Sequence, residues 1–392
     1  MIRLREIAKV TAGQAAPKEF ADEGYPFIRA GHLEGLLSNL SLNDIPKVSE
    51  EVAQKKRLKK IPKGTILFAK SGMSATKNRV YITEKESYFV SHLAGILPSE
   101  GFSNSYLARF LSWYKPSKLI LDSAYPSIRL EDINNLSIPL PSLDQQKKIA
   151  SILDAADAYR QKTKALIEKY DELTQSLFLE LFGDPLSNSK GWEIMAFEMG
   201  IIKIIGGLSL GGEAKELENG ELAVLKVSSV SSGVFKSDEY KVVDQNQIKR
   251  ILIHPRKGDL LFSRANTKEL VGAVAIVDND NEQLFLPDKL WRIDLKDDFL
   301  SPYYTRSLLS HDGFRNNLTK LATGTSGSML NISKAKLNKL LIPIPAIGLQ
   351  DQFAERVQAI EAQKAQAQAS LAQAEDLFNS LLQRAFKGEL TT

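Results

Sequence analysis

The chain has 392 residues, 43 % of them apolar, with 51 Lys+Arg against 47 Asp+Glu and no cysteine. That length predicts two or three domains, and a net charge of +4 excludes a polycation or an acidic disordered tail. The absence of cysteine excludes disulfides, Cys-ligated zinc, iron–sulfur clusters and thiol catalysis, while four scattered histidines (His32, His92, His254, His311) speak against a His-built metal site or triad.

Residues 1–141 are of mixed character. Short β-rich runs, Thr65–Phe68 and Arg79–Ile82, are punctuated by Gly, Asn and Ser, and a helix is expected near Ser105–Trp113. Residues 142–185 read as one long helix. It follows Pro139 and Pro141, takes Asp144 as N-cap and stops at Gly183-Asp-Pro185. Its apolar positions recur in heptads, one register being Ile149, Ala156, Thr163, Tyr170 and Leu177, the other Ile152, Tyr159, Leu166 and Leu173. Residues 186–345 return to the mixed character, with strand-like runs at Ala223–Val227, Leu260–Phe262 and Ala273–Val277 and a helix near Ser301–Ser310. Residues 346–392 are a second long helix, with Phe353, Ile360, Ala367, Ala374 and Leu381 in one register, Val357, Leu371 and Phe378 in the other, and Gly388 as its end. Each helix, at about 39 residues and about 1.5 Å per residue, would be about 58 Å long. Neither can leave its apolar stripe uncovered, and the obvious cover is the other helix, packed antiparallel as a two-stranded coiled coil.

The order of these elements is a duplication. Ile138-Pro-Leu-Pro-Ser-Leu-Asp-Gln-Gln-Lys-Lys-Ile-Ala150 recurs 204 residues later as Ile342-Pro-Ile-Pro-Ala-Ile-Gly-Leu-Gln-Asp-Gln-Phe-Ala354. The same offset joins Phe182 to Phe386. Upstream, Lys63–Lys70 matches Lys257–Arg264, and Lys9–Gly13 matches Lys203–Gly207, both at an offset of 194. Two tandem copies imply an α+β fold of two globular modules separated by two antiparallel helices, with pseudo-two-fold symmetry. Charge follows the same cuts: residues 1–141 carry +6 and 186–345 carry +2, whereas 142–185 and 346–392 carry −2 each. A spacer between two phosphate-seeking modules has that distribution.

The junction Pro-Leu-Pro-Ser-Leu-Asp-Gln-Gln-Lys-Lys-Ile-Ala, the exit Leu177-Phe-Leu-Glu-Leu-Phe-Gly-Asp-Pro185 with Lys190-Gly-Trp192, and Gly258-Asp-Leu-Leu-Phe-Ser-Arg264 together resemble the specificity subunit of type I restriction–modification systems. Asp144 stands where that family usually has Glu, and the second junction, Pro-Ile-Pro-Ala-Ile-Gly-Leu-Gln-Asp-Gln, departs further from the pattern. The resemblance implies two target recognition domains, 1–141 and 186–345, each reading one half of a bipartite sequence in double-stranded DNA. The helices 142–185 and 346–392 would set the gap between half-sites. It further implies a subunit that is not an enzyme by itself. Two copies of a methyltransferase subunit and motor/endonuclease subunits would hold the S-adenosylmethionine, ATP and Mg, with no cofactor on this chain and a prokaryotic cytoplasm as the setting. In agreement, the sequence has no GxxxxGK[ST] loop, no (Asn/Asp)-Pro-Pro-(Tyr/Phe) motif, no signal-peptide core and no apolar run of membrane length. No catalytic or metal residue is expected. Asp288-Lys289 reads as a strand-end turn. The rival readings are a coiled-coil scaffold whose modules bind proteins, and a fused enzyme that modifies DNA unaided.

Base readout needs Arg, Lys, Asn or Gln on rigid supports, and phosphate contact needs cations, hydroxyls or backbone N–H groups. The loop after the strand of the first module supplies Lys70, Ser71, Lys77 and Arg79; its counterpart supplies Arg264, Asn266 and Lys268. Arg29 and His32, matched by Lys226 and Ser228, stand at other strand ends. Tyr125 and Arg129, matched by Thr323, Ser326 and Ser328, lie just before the return to the helix. The densest basic run, Lys55-Lys-Arg-Leu-Lys-Lys60, is a further candidate for phosphate contact.

Overall fold

The computed structural model describes residues 1–38, 40–324 and 329–390. It is an α+β chain that divides into two compact units, one of Met1–Lys164 with Ala369–Thr392, the other of Ala165–Gln368. Both are built from the same parts in the same order.

In the first unit a four-stranded antiparallel sheet runs Val10–Ala12, Leu93–Ile96, Ile66–Ala69, Val80–Ile82. A three-stranded sheet runs Lys47–Val48, Tyr25–Ile28, Tyr88–Phe89, its last pair parallel. In the second unit the four strands are Ile201–Gly206, Leu290–Leu295, Leu260–Ser263 and Val274–Ile276, and the three are Tyr240–Val243, Leu222–Leu225 and Leu284–Phe285, again with a parallel last pair. The central strands are buried on both faces, as their unbroken apolar runs require. Ile66 and Phe68 face the helices while Leu67 and Ala69 face the other sheet; Leu260 and Phe262 are divided from Leu261 in the same way. The matched glycines mark where backbone crosses backbone. A Cβ on Gly13 would lie 2.2 Å from the Val90 carbonyl oxygen, and one on Gly207 would lie 1.8 Å from that of Leu286.

The long helices are Leu143–Phe182 and Ile347–Lys387. The first starts one residue before Asp144, and Ser142 does the capping, its Oγ accepting from the Gln145 N–H at 3.4 Å. At both starts a buried glutamine does the same work. Gln146 accepts from the Ser103 N–H and donates to the Pro141 carbonyl; Gln350 accepts from Ser301 and donates to Pro345 and Phe299. Tyr106 and Tyr304 donate to the Pro139 and Pro343 carbonyls, both at 2.7 Å. These bonds account for the junction motif: the prolines stop the chain, and the glutamine satisfies backbone groups that burial would otherwise leave without partners.

Within each unit the two helices pack antiparallel, and each core is finished by the far end of one of them. In the first unit Phe378, Leu382, Ala385 and Phe386 join Ile149, Ala150 and Leu153 beneath Tyr106 and Phe110. In the second, Leu177, Phe178 and Phe182 join Phe353 and Val357 beneath Tyr304. Ile360 is packed against this second core, Leu381 against the first, and Leu371 is half-buried. Arg109 pairs with Asp154 and Asp157 in the first unit, and Arg306 with Glu361 in the second. Burial raises the Asp157 carboxyl, yet the Arg109 hydrogen bond and the Arg109 and Arg160 charges bring it below its ordinary value.

One heptad register needs correction. Ile149, Thr163 and Leu177 are buried and Tyr170 is half-buried, as that register requires. In the other, Ile152 is only half-buried, and Tyr159, Leu166 and Leu173 are 55 %, 45 % and 50 % exposed. The inward positions lie one residue later, at Leu153, Arg160, Ile167, Thr174 and Leu181. Spacing alternates by four and then three, and polar side chains at two of those positions disguised the seam. A helix at Asp312–Leu321 also goes beyond the expected elements.

Candidate nucleic-acid interface

In each unit the central strand ends at a cation. Lys70 N–H donates to the His92 carbonyl at 2.9 Å, and its own carbonyl accepts from Ile128 N–H at 2.7 Å. Arg264 N–H donates to the Lys289 carbonyl at 3.0 Å, and its carbonyl accepts from Ile332 N–H at 2.8 Å. Backbone bonds therefore fix both residues identically, between the sheet edge and the segment that returns to the helix.

The surroundings then diverge. In the first unit Ser71 Oγ and His92 Nδ1 are hydrogen-bonded at 2.7 Å, and Ser71 bridges to Ser127. Gly72 holds a left-handed φ of 72°, and its N–H donates to the Pro126 carbonyl. That carries the loop beside Tyr125, which is 81 % exposed. Among the described residues the Lys70 and Lys77 ammonium groups have no hydrogen-bond or ion-pair partner, and Lys77 and Arg129 are exposed. Arg79 is turned away, paired with Glu34 at 2.5 Å.

In the second unit Arg264 is engaged on every side. Its Nε donates to the Asp288 carbonyl at 2.8 Å, Nη2 to Asp288 Oδ2 at 2.9 Å and Nη1 to Asn331 Oδ1 at 3.4 Å, and its guanidinium lies 5.8 Å from the centre of the Trp291 ring. Asp288 also accepts from Ser209 Oγ. Burial pushes the Asp288 carboxyl up, but Ser209 and Arg264 bring it below its ordinary value, so the carboxylate stays ionised at neutral pH. Asn266 is engaged at both ends of its amide: Oδ1 accepts from Thr267 N–H at 2.9 Å and Nδ2 donates to Ser263 Oγ at 3.4 Å. Its strand pairs with Leu330–Asn331, and Asn331 in turn bridges to Thr323, so these three positions share one edge. Lys268 is exposed, and among the described residues no hydrogen bond or ion pair engages its ammonium group. Ser326 and Ser328 lie outside the described residues.

The other pair of candidates lies at the ends of the three-stranded sheets. Arg29 N–H donates to His32 Nδ1 at 3.2 Å, and its guanidinium sits 4.9 Å from the Phe20 ring centre. Burial, then the Arg29 charge, lowers the His32 pKa and keeps it a neutral acceptor. In the second unit Lys226 and Ser228 are both bound to Glu239, at 3.4 Å and 2.7 Å. Of these candidates Arg79, Arg264, Lys226 and Ser228 are engaged by acids distant in sequence, Glu34, Asp288 and Glu239. Sequence reasoning missed His92, Ser209 and Asn331 as part of the site. Asp288 is indeed in the turn before a strand, but it also holds the arginine. Among the described residues no group of three or more His, Asp or Glu could hold a metal ion, and no helix is long and apolar enough to cross a membrane.

A family model described as the type I restriction modification DNA specificity domain matches residues 1–170 and again 190–375. The specificity subunit of the type I restriction enzyme EcoKI from Escherichia coli (strain K12) is 26 % identical, covering 94 % of this chain and 83 % of its own. The S subunit of a type I restriction-modification system from M. genitalium has a similar fold, with a TM-score of 0.60 and 14 % identity over 98 % of this chain and 95 % of its own. A chain from a structure of type I R-M complex assembly and conformational transition follows, with a TM-score of 0.54 and 16 % identity over 99 % and 97 %.

Proposed function

Since the chain belongs to the family of type I restriction modification DNA specificity subunits, non-catalytic partners in multi-subunit complexes that bind DNA, we propose that each of its units reads one half of a bipartite target in double-stranded DNA. Residues 1–141 and 186–345 are the reading modules in this proposal, and the helices 142–185 and 346–392 fix the unspecified gap and receive the partner subunits. One observation carries it: a duplicated backbone frame presents a cation at the same place in both units, Lys70 and Arg264, at the end of a rigid buried strand. Bidentate or charged donors on such supports are what base and phosphate recognition require.

The partners in this reading are two copies of a methyltransferase subunit, one for each half of the duplication, together with motor/endonuclease subunits. S-adenosylmethionine, ATP and Mg belong to those partners, and the complex works in a prokaryotic cytoplasm. The test is to map methylated adenines in cells that express the methyltransferase subunit with and without this chain. A single two-part motif that depends on the chain is expected. Methylation that is absent, or indifferent to the chain, overturns the proposal. For the protein-scaffold alternative, sheared DNA at low and high salt is the discriminating ligand, because phosphate-driven binding falls steeply with salt.

A further inference from the structure

The basic run Lys55–Lys60 has no part in the loops described above. It lies in the first unit where the short helix Glu50–Lys55 ends. Leu58 N–H donates to the Ala53 carbonyl at 2.8 Å and Arg57 N–H to that of Gln54 at 3.0 Å, and Leu58 packs back onto Ala53. That is a Schellman turn, whose left-handed position usually holds glycine. Here it holds Arg57, at φ 52°. The turn is also fastened from outside. Gln14 Nε2 donates to the Arg57 carbonyl at 2.7 Å, and its Oε1 accepts from the Lys59 N–H at 2.5 Å. Gln14 is itself bonded through its backbone to Phe89 and Ser91.

On this fixed backbone Lys55, Lys56, Arg57 and Lys59 are all exposed, and among the described residues none of their cationic groups has a hydrogen-bond or ion-pair partner. Lys60 alone is engaged, by Glu86 at 2.8 Å and by the Tyr25 ring. A strained arginine kept where glycine would be easier, beside three other unneutralised charges, is poorly explained by folding. The second unit lacks the device. At the offset of 194 it has Lys249 and Arg250, but Ile251 replaces Arg57, Ile253 replaces Lys59 and Leu208 replaces Gln14.

We propose that the turn Lys55–Lys59 grips the phosphate backbone of duplex DNA and gives the first unit a sequence-independent hold that the second does without. This rests on the DNA-reading function proposed above. Phosphate chemistry recognises no base, so the hold should appear on any duplex and scale with counterion release.

The experiment uses the full chain with its methyltransferase partner and a short duplex of unrelated sequence, titrated over a range of salt. Arg57→Gly should flatten the plot of log affinity against log salt by about 0.9, the value for one phosphate contact. Adding Lys55→Ala, Lys56→Ala and Lys59→Ala should flatten it by about 2–4. Glycine suits the backbone at this position, so Arg57→Gly should bind less tightly with a Tm no lower than that of the parent. A misfolding defect would not give that combination. An unchanged slope in the fourfold variant overturns this inference and leaves the DNA reading intact. A parent complex that binds no duplex at low salt overturns that reading, and this inference with it.

Discussion

Lys70 and Arg264 occupy one frame and are used differently. The backbone bonds around them match donor for donor, yet among the described residues the lysine ammonium of the first unit has no hydrogen-bond or ion-pair partner while the arginine of the second is held by Asp288, Asn331 and the Trp291 face. A free lysine is a mobile point charge suited to a phosphate. An arginine clamped by a carboxylate has one orientation, set before any ligand arrives. Duplication thus preserved the scaffold and let the chemistry at its tip diverge. Charge differs in the same sense: residues 1–141 carry a net +6, and residues 186–345 only +2.

The largest test of the shared frame is at the aromatic pair that closes each core. Phe386→Ala should cost about 3–5 kcal/mol in chemical denaturation, and so should Phe182→Ala. Hydrogen exchange should localise the first defect to residues 1–164 and the second to 165–368. If both variants loosen both units, the two cores are not separate. Next come the buried glutamines. Gln350→Leu deprives Ser301, Phe299 and Pro345 of partners, Gln146→Leu only Ser103 and Pro141. At about 1–3 kcal/mol for a stranded buried group, the second-unit variant should be the less stable. Equal Tm losses would remove this distinction.

The tips themselves should separate on DNA. Arg264→Ala should weaken specific binding by about 1–3 kcal/mol and relax preference in one half-site, whereas Lys70→Ala should weaken binding evenly across sequences and reduce the salt slope by about 1. Competition assays with sites altered in either half read both effects, and the reverse pattern would exchange the two roles. The smallest effect is in acid. Asp157 has a native pKa below its unfolded value. Its pairing with Arg109 and Arg160 therefore contributes stability that is complete above the unfolded carboxylate value and disappears as pH falls through the lower native one. Asp259 in the second unit has the opposite sign: burial raises its pKa, and protonation relieves the cost. Asp288 of the second unit is lowered as Asp157 is, so acid should weaken both units, and Asp157→Asn should remove the first unit's share, read as a shallower fall of its denaturation midpoint with pH.

The sequence displayed what local chemistry encodes. Two copies of a Pro-x-Pro stop followed by glutamine located both long helices, because those residues act within one turn of where they stand. One heptad register was legible for the same reason. The other was displaced because Arg160 and Thr174 occupy inward positions while Tyr159, Leu166 and Leu173 face outward, and only the partner helix decides which row it covers. At the candidate interface the supports were legible and the partners were not. Nothing near Arg264 announces that a carboxylate 24 residues on will hold it. Glu34 and Glu239 likewise reach Arg79 and Lys226 only through the fold.

The discontinuity of the first unit also has a temporal meaning. A ribosome releases residues 1–164 long before Phe378, Leu382, Ala385 and Phe386, so the module made first must wait, its aromatic floor missing, until that later segment emerges. The second module, contained in 165–368, has its whole core in hand earlier. The order of maturation is then the reverse of the order of synthesis, and the nascent first module is the one that stands longest in need of a chaperone.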